Sequence, residues 1–170
     1  MKTTTDRIPA PRARQAASAT FTIAEERPDS ADATELILEL EALLEPLYPS
    51  ESRHGYSVEK LLREGVAFFV IRDNGRLAGC GGVQLFDSAY GEVKRMYVRQ
   101  EFRGRGLGRA MLDHLGAYTQ ARGVPLLRLE TGIHQEEAIG LYESAGFRTV
   151  PPFGAYREDA NSRYYEKRLG

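Results

Sequence analysis

Three glycines and three arginines crowd into seven residues, Arg103-Gly104-Arg105-Gly106-Leu107-Gly108-Arg109. The stretch follows a strand-like run at 91–98 and opens a helix-like run from Leu107 to about Arg122. Glycine lets a backbone bend so that successive N–H groups point into one concavity. A helix starting there adds its own free N–H groups and the positive end of its dipole. Arg103, Arg105 and Arg109 can add charge-assisted contacts to phosphate oxygens. The chemistry is that of an anion cradle for a phosphorylated small molecule.

Neither common nucleotide fingerprint fits. A Walker loop needs Gly-Lys-Ser/Thr, which the chain lacks, and a dinucleotide loop needs Gly-x-Gly-x-x-Gly, whereas these glycines stand at 104, 106 and 108. The remaining composition sets bounds. The 170 residues suffice for one domain with one core. A net charge of -1 gives no global field for nucleic acid or a membrane surface. Cys80 is the one cysteine, so no internal disulfide forms and a reducing compartment is expected. No apolar run approaches the ~20 residues a membrane helix needs. The expectation is a cytoplasmic protein with neither nucleic acid nor membrane as partner.

The loop must be positioned by a folded frame. Residues 1–18, rich in Thr, Ala, Pro and Arg without apolar period, read as a disordered tail, and 19–170 as a single domain. Thr20 to Ala24 alternates as a strand does. Ser30 or Asp32 caps a helix whose inward stripe is Leu36, Ile37, Leu40, Leu43, Leu44 and Leu47, ended by Pro46 and Pro49. A shorter helix runs from Ser57. Val66 to Ile71 is an apolar strand, Asp73-Asn74-Gly75 a hairpin turn, and Leu77 to Phe86 the returning partner. Gly123 stops the helix that follows the glycine loop. A strand at 126–130, a helix at 136–145 stopped by Gly146, and strands at 147–150 and 163–169 complete an α/β chain of order β-α-α-β-β-β-α-β-α-β-β.

Three blocks in this order resemble the GNAT superfamily of acetyl-CoA-dependent N-acetyltransferases. They are Tyr97-Val98 followed by Arg103-x-x-Gly106-x-Gly108, then Leu129-Glu130-Thr131, then Ala138-x-x-Leu141-Tyr142-x-x-x-Gly146-Phe147. The likeness spans nearly all of 19–170. It implies a mixed sheet in which the strands 91–98 and 126–131 splay apart, acetyl-CoA as cosubstrate, and transfer of its acetyl group to an amine by direct attack in a ternary complex. It assigns the pyrophosphate to residues 103–109, the pantetheine amides to main-chain groups of Met96 and Val98, and the thioester carbonyl to the N–H of Val98 or a close neighbour. Gln135 stands where the family often has an asparagine, which puts one contact to the pantetheine arm in question.

The same resemblance points to Tyr142 as the acid that protonates the departing thiolate and to Glu92 as the base that takes the amine's proton. Glu130, on the facing strand, and His134, just after it, are alternative bases. His54 and Tyr56 fall between the first two helices, where the family varies to suit its acceptor, and the segments 52–56 and 151–161 are expected to frame the acceptor pocket. Arg157 and Arg163 would suit an acceptor bearing a carboxylate. Plainer readings stand beside these: Tyr142 as a core tyrosine next to Leu141 and Phe147, Glu92 as a solvated strand-end charge paired with Lys94 or Arg95, His114 as a surface residue, Cys80 as a small apolar filler. No spacing of His, Cys and carboxylates suits a metal. The acceptor is an amine-bearing small molecule or a peptide. A non-catalytic acyl-CoA-binding module is the alternative function. The final strand, read as an exposed edge, offers a surface on which a homodimer can form.

Overall fold

The computed structural model describes residues 20–170, so the expected tail at 1–18 lies outside it. Local turn chemistry builds the first half of the sheet. β1 (Phe21–Glu25), β2 (Ala67–Asp73), β3 (Arg76–Phe86) and β4 (Tyr90–Val98) pair antiparallel in succession. The β2–β3 hairpin turns on Asn74 (φ 50°) and Gly75 (φ 77°), both in the left-handed region that a two-residue turn demands and that Asn-Gly tolerates.

Four helices join in. α1 (Ala31–Leu44) starts at Ser30, whose hydroxyl accepts the Ala33 N–H at 3.1 Å, and α2 (Val58–Arg63) starts at Ser57, which accepts the Lys60 N–H at 3.2 Å. α3 (Leu107–Gln120) begins directly after the glycine loop. β5 (Leu126–Gly132), α4 (Glu136–Ser144), β6 (Arg148–Thr149) and β7 (Ser162–Arg168) follow, with Gly146 at φ 90° closing α4. Two 3-10 turns, Ser50–Ser52 and Gln100–Phe102, are too short to leave a period in the sequence.

The seven strands lie in the order β1-β2-β3-β4-β5-β7-β6, and β4–β5 is the parallel pair. Side chains alternate across the sheet and build two cores. Phe69, Ile71, Leu127 and Leu129 pack with Met111 and Leu115 of α3, while Phe68, Val70 and Cys80 pack with Leu36 and Ile37 of α1 and Leu61 of α2. A smaller aromatic cluster of Tyr90, Phe153 and Tyr164 holds the 150s segment against the sheet.

Two expectations need correction. Leu43 and Leu47 share the apolar stripe of Leu36 and Leu40, yet they are 42% and 41% exposed, because the stripe runs on past the part of the sheet that covers it. β7 is not an edge: β5 flanks it on one side, and on the other β6 and the Val150 N–H, which donates to Tyr164 O at 2.9 Å, cover its middle. The open edge proposed for pairing two copies is therefore occupied.

Candidate active site

β4 and β5 pair at only two positions, Gly91↔Leu127 and Glu92↔Arg128, and then part. The cause lies in β4. Arg95 has φ 52°, and the β3–β4 register slips between Cys80 and Gly82, so Arg95 is the extra residue of a bulge that bends the strand. That left-handed conformation costs a non-glycine residue about 1–2 kcal/mol. Its side chain offsets the strain: Arg95 Nε donates to Tyr56 O at 2.9 Å, and its guanidinium pairs with Glu41 at 2.7 Å. Beyond the bulge the Arg99 N–H donates back to Ala78 O of β3 at 2.8 Å. Main-chain groups alternate along a strand, so the Val98 N–H faces the opened side. Val98 O on that side accepts from Arg103 Nε at 2.9 Å.

A cleft of about 620 Å³ fills the opening, lined by Met96, Val98, Arg103, Gly104, Gly106, Gly108, Arg109, His134, Gln135 and Tyr142. Leu43 of α1 and Leu47, in the turn just past its end, line it, which gives these exposed leucines a place in the site. Gly104 (φ 75°) and Gly106 (φ 79°) curl the loop ahead of α3, and nothing lies within 4 Å of where a Cβ on either would stand. Such an open, glycine-curled loop at a helix N-terminus fits a diphosphate. Of the three arginines, Arg103 and Arg109 reach the cleft. Arg105 does not: its guanidinium pairs with Asp73 of the β2–β3 hairpin and lies over the Phe102 ring, so its side chain leaves the cradle.

Tyr142 forms a wall shared by this cleft and a smaller inner cavity of about 120 Å³. Both of its readings hold at once. It is 5% exposed and packs edge-on to Phe147, with ring centroids 5.9 Å apart, yet its hydroxyl has no protein partner among the described residues. Burial, helped by the charge of Glu130, pushes the phenol well above its ordinary pKa, so it stays protonated at neutral pH.

The inner cavity brings together His54, Tyr56, Lys94, Glu130, Gln135 and Tyr156. It shares Arg53, His54, Tyr56, Lys94 and Tyr156 with an outer cavity of about 330 Å³ walled by Phe86, Tyr90 and Phe153. The segments 52–56 and 151–161 do meet here. Arg157 and Arg163 line neither cavity.

Glu92 is not a solvated strand-end charge. It is 3% exposed, and its Oε1 accepts from Lys94 Nζ at 2.7 Å and from the Tyr156 hydroxyl at 2.5 Å. The Lys94 ammonium also sits 4.1 Å from the Tyr56 ring centroid, and burial lowers its pKa despite the adjoining carboxylate. Glu92 lines the outer cavity; Glu130 lines the inner one together with Tyr142. Glu130 accepts from Ser162 Oγ at 2.7 Å, and burial raises its pKa. From sequence, Lys94 stood only as a charge partner for Glu92 and Tyr156 only as part of the segment 151–161; neither was singled out as a site residue. The alternation of β4, which puts residues 92 and 94 on one face, was the available signal for the first.

The histidines separate. His54 is edge-on to Tyr156 at 5.3 Å, with Nε2 3.5 Å from Asp159. His134 lines the cleft but not the inner cavity. Its ring stacks on Tyr48 and its main-chain N–H donates to the Tyr48 hydroxyl at 2.9 Å, which pins the turn between β5 and α4. His114, read as a surface residue, is half-buried and edge-on to Phe69 at 4.6 Å. Cys80 is fully buried and its thiol is pushed up to about 12, which makes it an inert core residue. Among the described residues no cluster of His, Cys and carboxylates is placed to hold a metal, and no helix is long and apolar enough to cross a membrane.

A family model described as acetyltransferase (GNAT) family matches residues 35–147. The chain belongs to this family. As a GNAT protein it is an acyltransferase with the family's mixed α/β fold. It is 40% identical over 149 residues to the IAA acetyltransferase of Azospirillum brasilense, spanning 87% of this chain and 97% of that one. A Klebsiella pneumoniae structure assigned as an acyl-CoA N-acyltransferase superposes with a TM-score of 0.76 at 36% identity, over 89% of this chain and 99% of the other. An Elizabethkingia anophelis GNAT acetyltransferase with acetyl-CoA bound shares the fold alone, at a TM-score of 0.66 and 18% identity over 88% and 98% of the two chains.

Proposed function

We propose that this GNAT protein moves an acetyl group from acetyl-CoA to a primary amine by direct attack within a ternary complex. The observation that carries the reading is the two-position β4–β5 ladder. It frees the Val98 N–H beside a cleft whose wall, Tyr142, is also the wall of a second cavity where an amine can stand.

Acetyl-CoA, when bound, supplies an activated thioester; the chain's residues do the rest. The N–H groups of 103–108 and the start of α3 hold the diphosphate, with Arg103 and Arg109 balancing its charge. Met96 and Val98 offer main-chain groups to the pantetheine amides, as an added strand would, and Gln135 borders the same arm. The Val98 N–H stabilises negative charge developing on the carbonyl oxygen, a role worth roughly 3 kcal/mol where one such donor has been removed. Glu130 takes the proton from the incoming ammonium, since it shares a cavity with Tyr142. Glu92, the base expected from sequence, holds Lys94 and Tyr156 in place instead. Tyr142 returns a proton to the leaving thiolate. His54 and Tyr56 line the acceptor side, and His134 orders the turn through Tyr48.

The test is a thermal shift with acetyl-CoA followed by an amine panel scored for thiol release. Ligand that binds the native state raises stability by mass action. A shift together with amine-dependent thiol supports the reading. A shift without thiol from any amine favours a non-catalytic acyl-CoA-binding module, and no shift at saturation contradicts both.

A further inference from the structure

Arg95 belongs to both halves of the site. As the bulge residue of β4 it bends the strand, and the cleft opens beyond it. Its main chain is fixed from the core, where the fully buried Cys80 thiol donates to Arg95 O at 3.3 Å. Its side chain, 5% exposed, runs to the 53–56 segment, which walls the inner cavity. A glycine would hold a φ of 52° without strain, and a strained conformation persists only where its surroundings over-determine it. What surrounds this one is the acceptor wall.

Three contacts lay that wall on the guanidinium. Arg95 Nε donates to Tyr56 O at 2.9 Å, and among the described residues this is the one hydrogen bond that main-chain groups of residues 54–56 make. Arg95 Nη2 donates to Glu41 Oε2 at 2.7 Å, while Oε1 of the same carboxylate lies 3.6 Å from Arg53 Nη1. The guanidinium also covers Gly55, where a Cβ would collide with its carbon and both terminal nitrogens. Both ends of the segment are thus tied to one side chain of β4, Arg53 through Glu41 and Tyr56 through its carbonyl. Tyr56 in turn lines the inner and the outer cavity.

Resting on the acetyltransferase reading, we propose that Arg95 is a positioning residue for the acceptor. It holds the 53–56 segment against the strand whose bulge opens the cofactor cleft, so one residue sets the amine's wall relative to the thioester's. Losing the side chain should therefore weaken use of the amine and leave acetyl-CoA binding intact.

Two variants cut the tie from opposite ends. Arg95→Gly keeps the left-handed bulge and removes the guanidinium; Glu41, 40% exposed, is left with water and Arg53, so the variant is expected to fold. Gly55→Ala keeps Arg95, and its new methyl meets only the movable end of that side chain. Backbone ¹⁵N order parameters, the Kd for acetyl-CoA, and kinetics with benzylamine, putrescine, free lysine and a tripeptide with a free N-terminus are measured for the wild type, both variants and their combination. In both variants the order parameters of His54, Gly55 and Tyr56 should drop toward the ~0.6 of flexible backbone. The Kd for acetyl-CoA should stay within about twofold, while KM for the best of these amines rises about tenfold or more and kcat falls by less. The combination should match Arg95→Gly alone, because Gly55→Ala acts only through the side chain already removed. Unchanged order parameters, an unchanged KM for the amine, an equal loss of acetyl-CoA affinity, or additive effects in the combination each overturn the proposal. No turnover of any of these amines by the wild type counts against the acetyltransferase reading instead, and the order parameters of the single and combined variants then decide the tie by themselves.

Discussion

Glu92 and Lys94, two residues apart on β4, form a 2.7 Å ion pair in which the side chains are only 4% and 7% exposed. Breaking such a pair from one side leaves a buried charge without its partner, which costs about 3–5 kcal/mol, whereas removing both charges costs much less. Lys94→Met is therefore expected to lower Tm by on the order of 10 °C. The double variant Glu92→Gln with Lys94→Met should recover most of the loss. Thermal unfolding of the two variants checks this; equal Tm values for single and double would show that the pair is effectively solvated.

Glu130 makes stability depend on pH in a definite direction. Burial raises its folded-state pKa above the unfolded value of about 4.3. Above that unfolded value the folded protein binds more protons than the unfolded chain, so Glu130's contribution is fully present below it and is lost as pH rises through the folded value. Glu130→Gln, which can still accept from Ser162, removes this contribution. The variant should gain stability relative to the wild type as pH climbs through the raised value, and denaturant titrations across that range measure the difference. On the proposed mechanism the same deprotonation creates the base, so kcat/KM of the wild type should rise over the same window, and Glu130→Gln should lose roughly 10²-fold or more.

Tyr142→Phe separates acid catalysis from packing. The ring contacts with Phe147 and Tyr165 persist in phenylalanine, and the hydroxyl gives up no protein hydrogen bond. Tm should change little, and affinity for acetyl-CoA should hold. kcat should fall by about 10²-fold, within the usual range for a lost general acid. Steady-state kinetics beside a binding titration decides it; an unchanged kcat would return Tyr142 to the role of a core residue.

The frame of this protein was readable because its determinants are local. Ser30 and Ser57 cap their helices, Asn74-Gly75 turns its hairpin, and Gly146 at φ 90° ends α4, each as side-chain size and hydrogen bonding dictate. The glycine loop was legible for the same reason. What escaped depends on distant chain segments. Tyr156 reaches Glu92 from 64 residues away, and nothing in either segment announces the contact. Arg105 looked like a phosphate ligand until Asp73, brought close by the sheet, claimed its guanidinium. Helical spacing put Leu43 and Leu47 on one face with Leu40 but could not show that the sheet ends before it covers them. The place of β7 between β5 and β6 likewise follows from how the chain returns after β6, which alternation along β7 cannot encode.

Gly106 combines a left-handed φ of 79° with open space around its missing Cβ. Gly106→Ala pays a conformational penalty of about 1 kcal/mol and places a methyl beside the cradle. The variant should fold with a slightly lower Tm and show a smaller stabilisation by saturating acetyl-CoA than the wild type. A full-sized shift in differential scanning fluorimetry would mean that the loop does not hold the diphosphate.

The central claim concerns main-chain amides, and their resonances report on it directly. In ¹⁵N-labelled protein titrated with acetyl-CoA, the N–H signals of residues 103–108 and of Val98 should move together and saturate at one equivalent, while those of β1 on the far edge of the sheet stay in place. Saturable binding that leaves 98 and 103–108 unmoved, with shifts gathered elsewhere, would contradict the account.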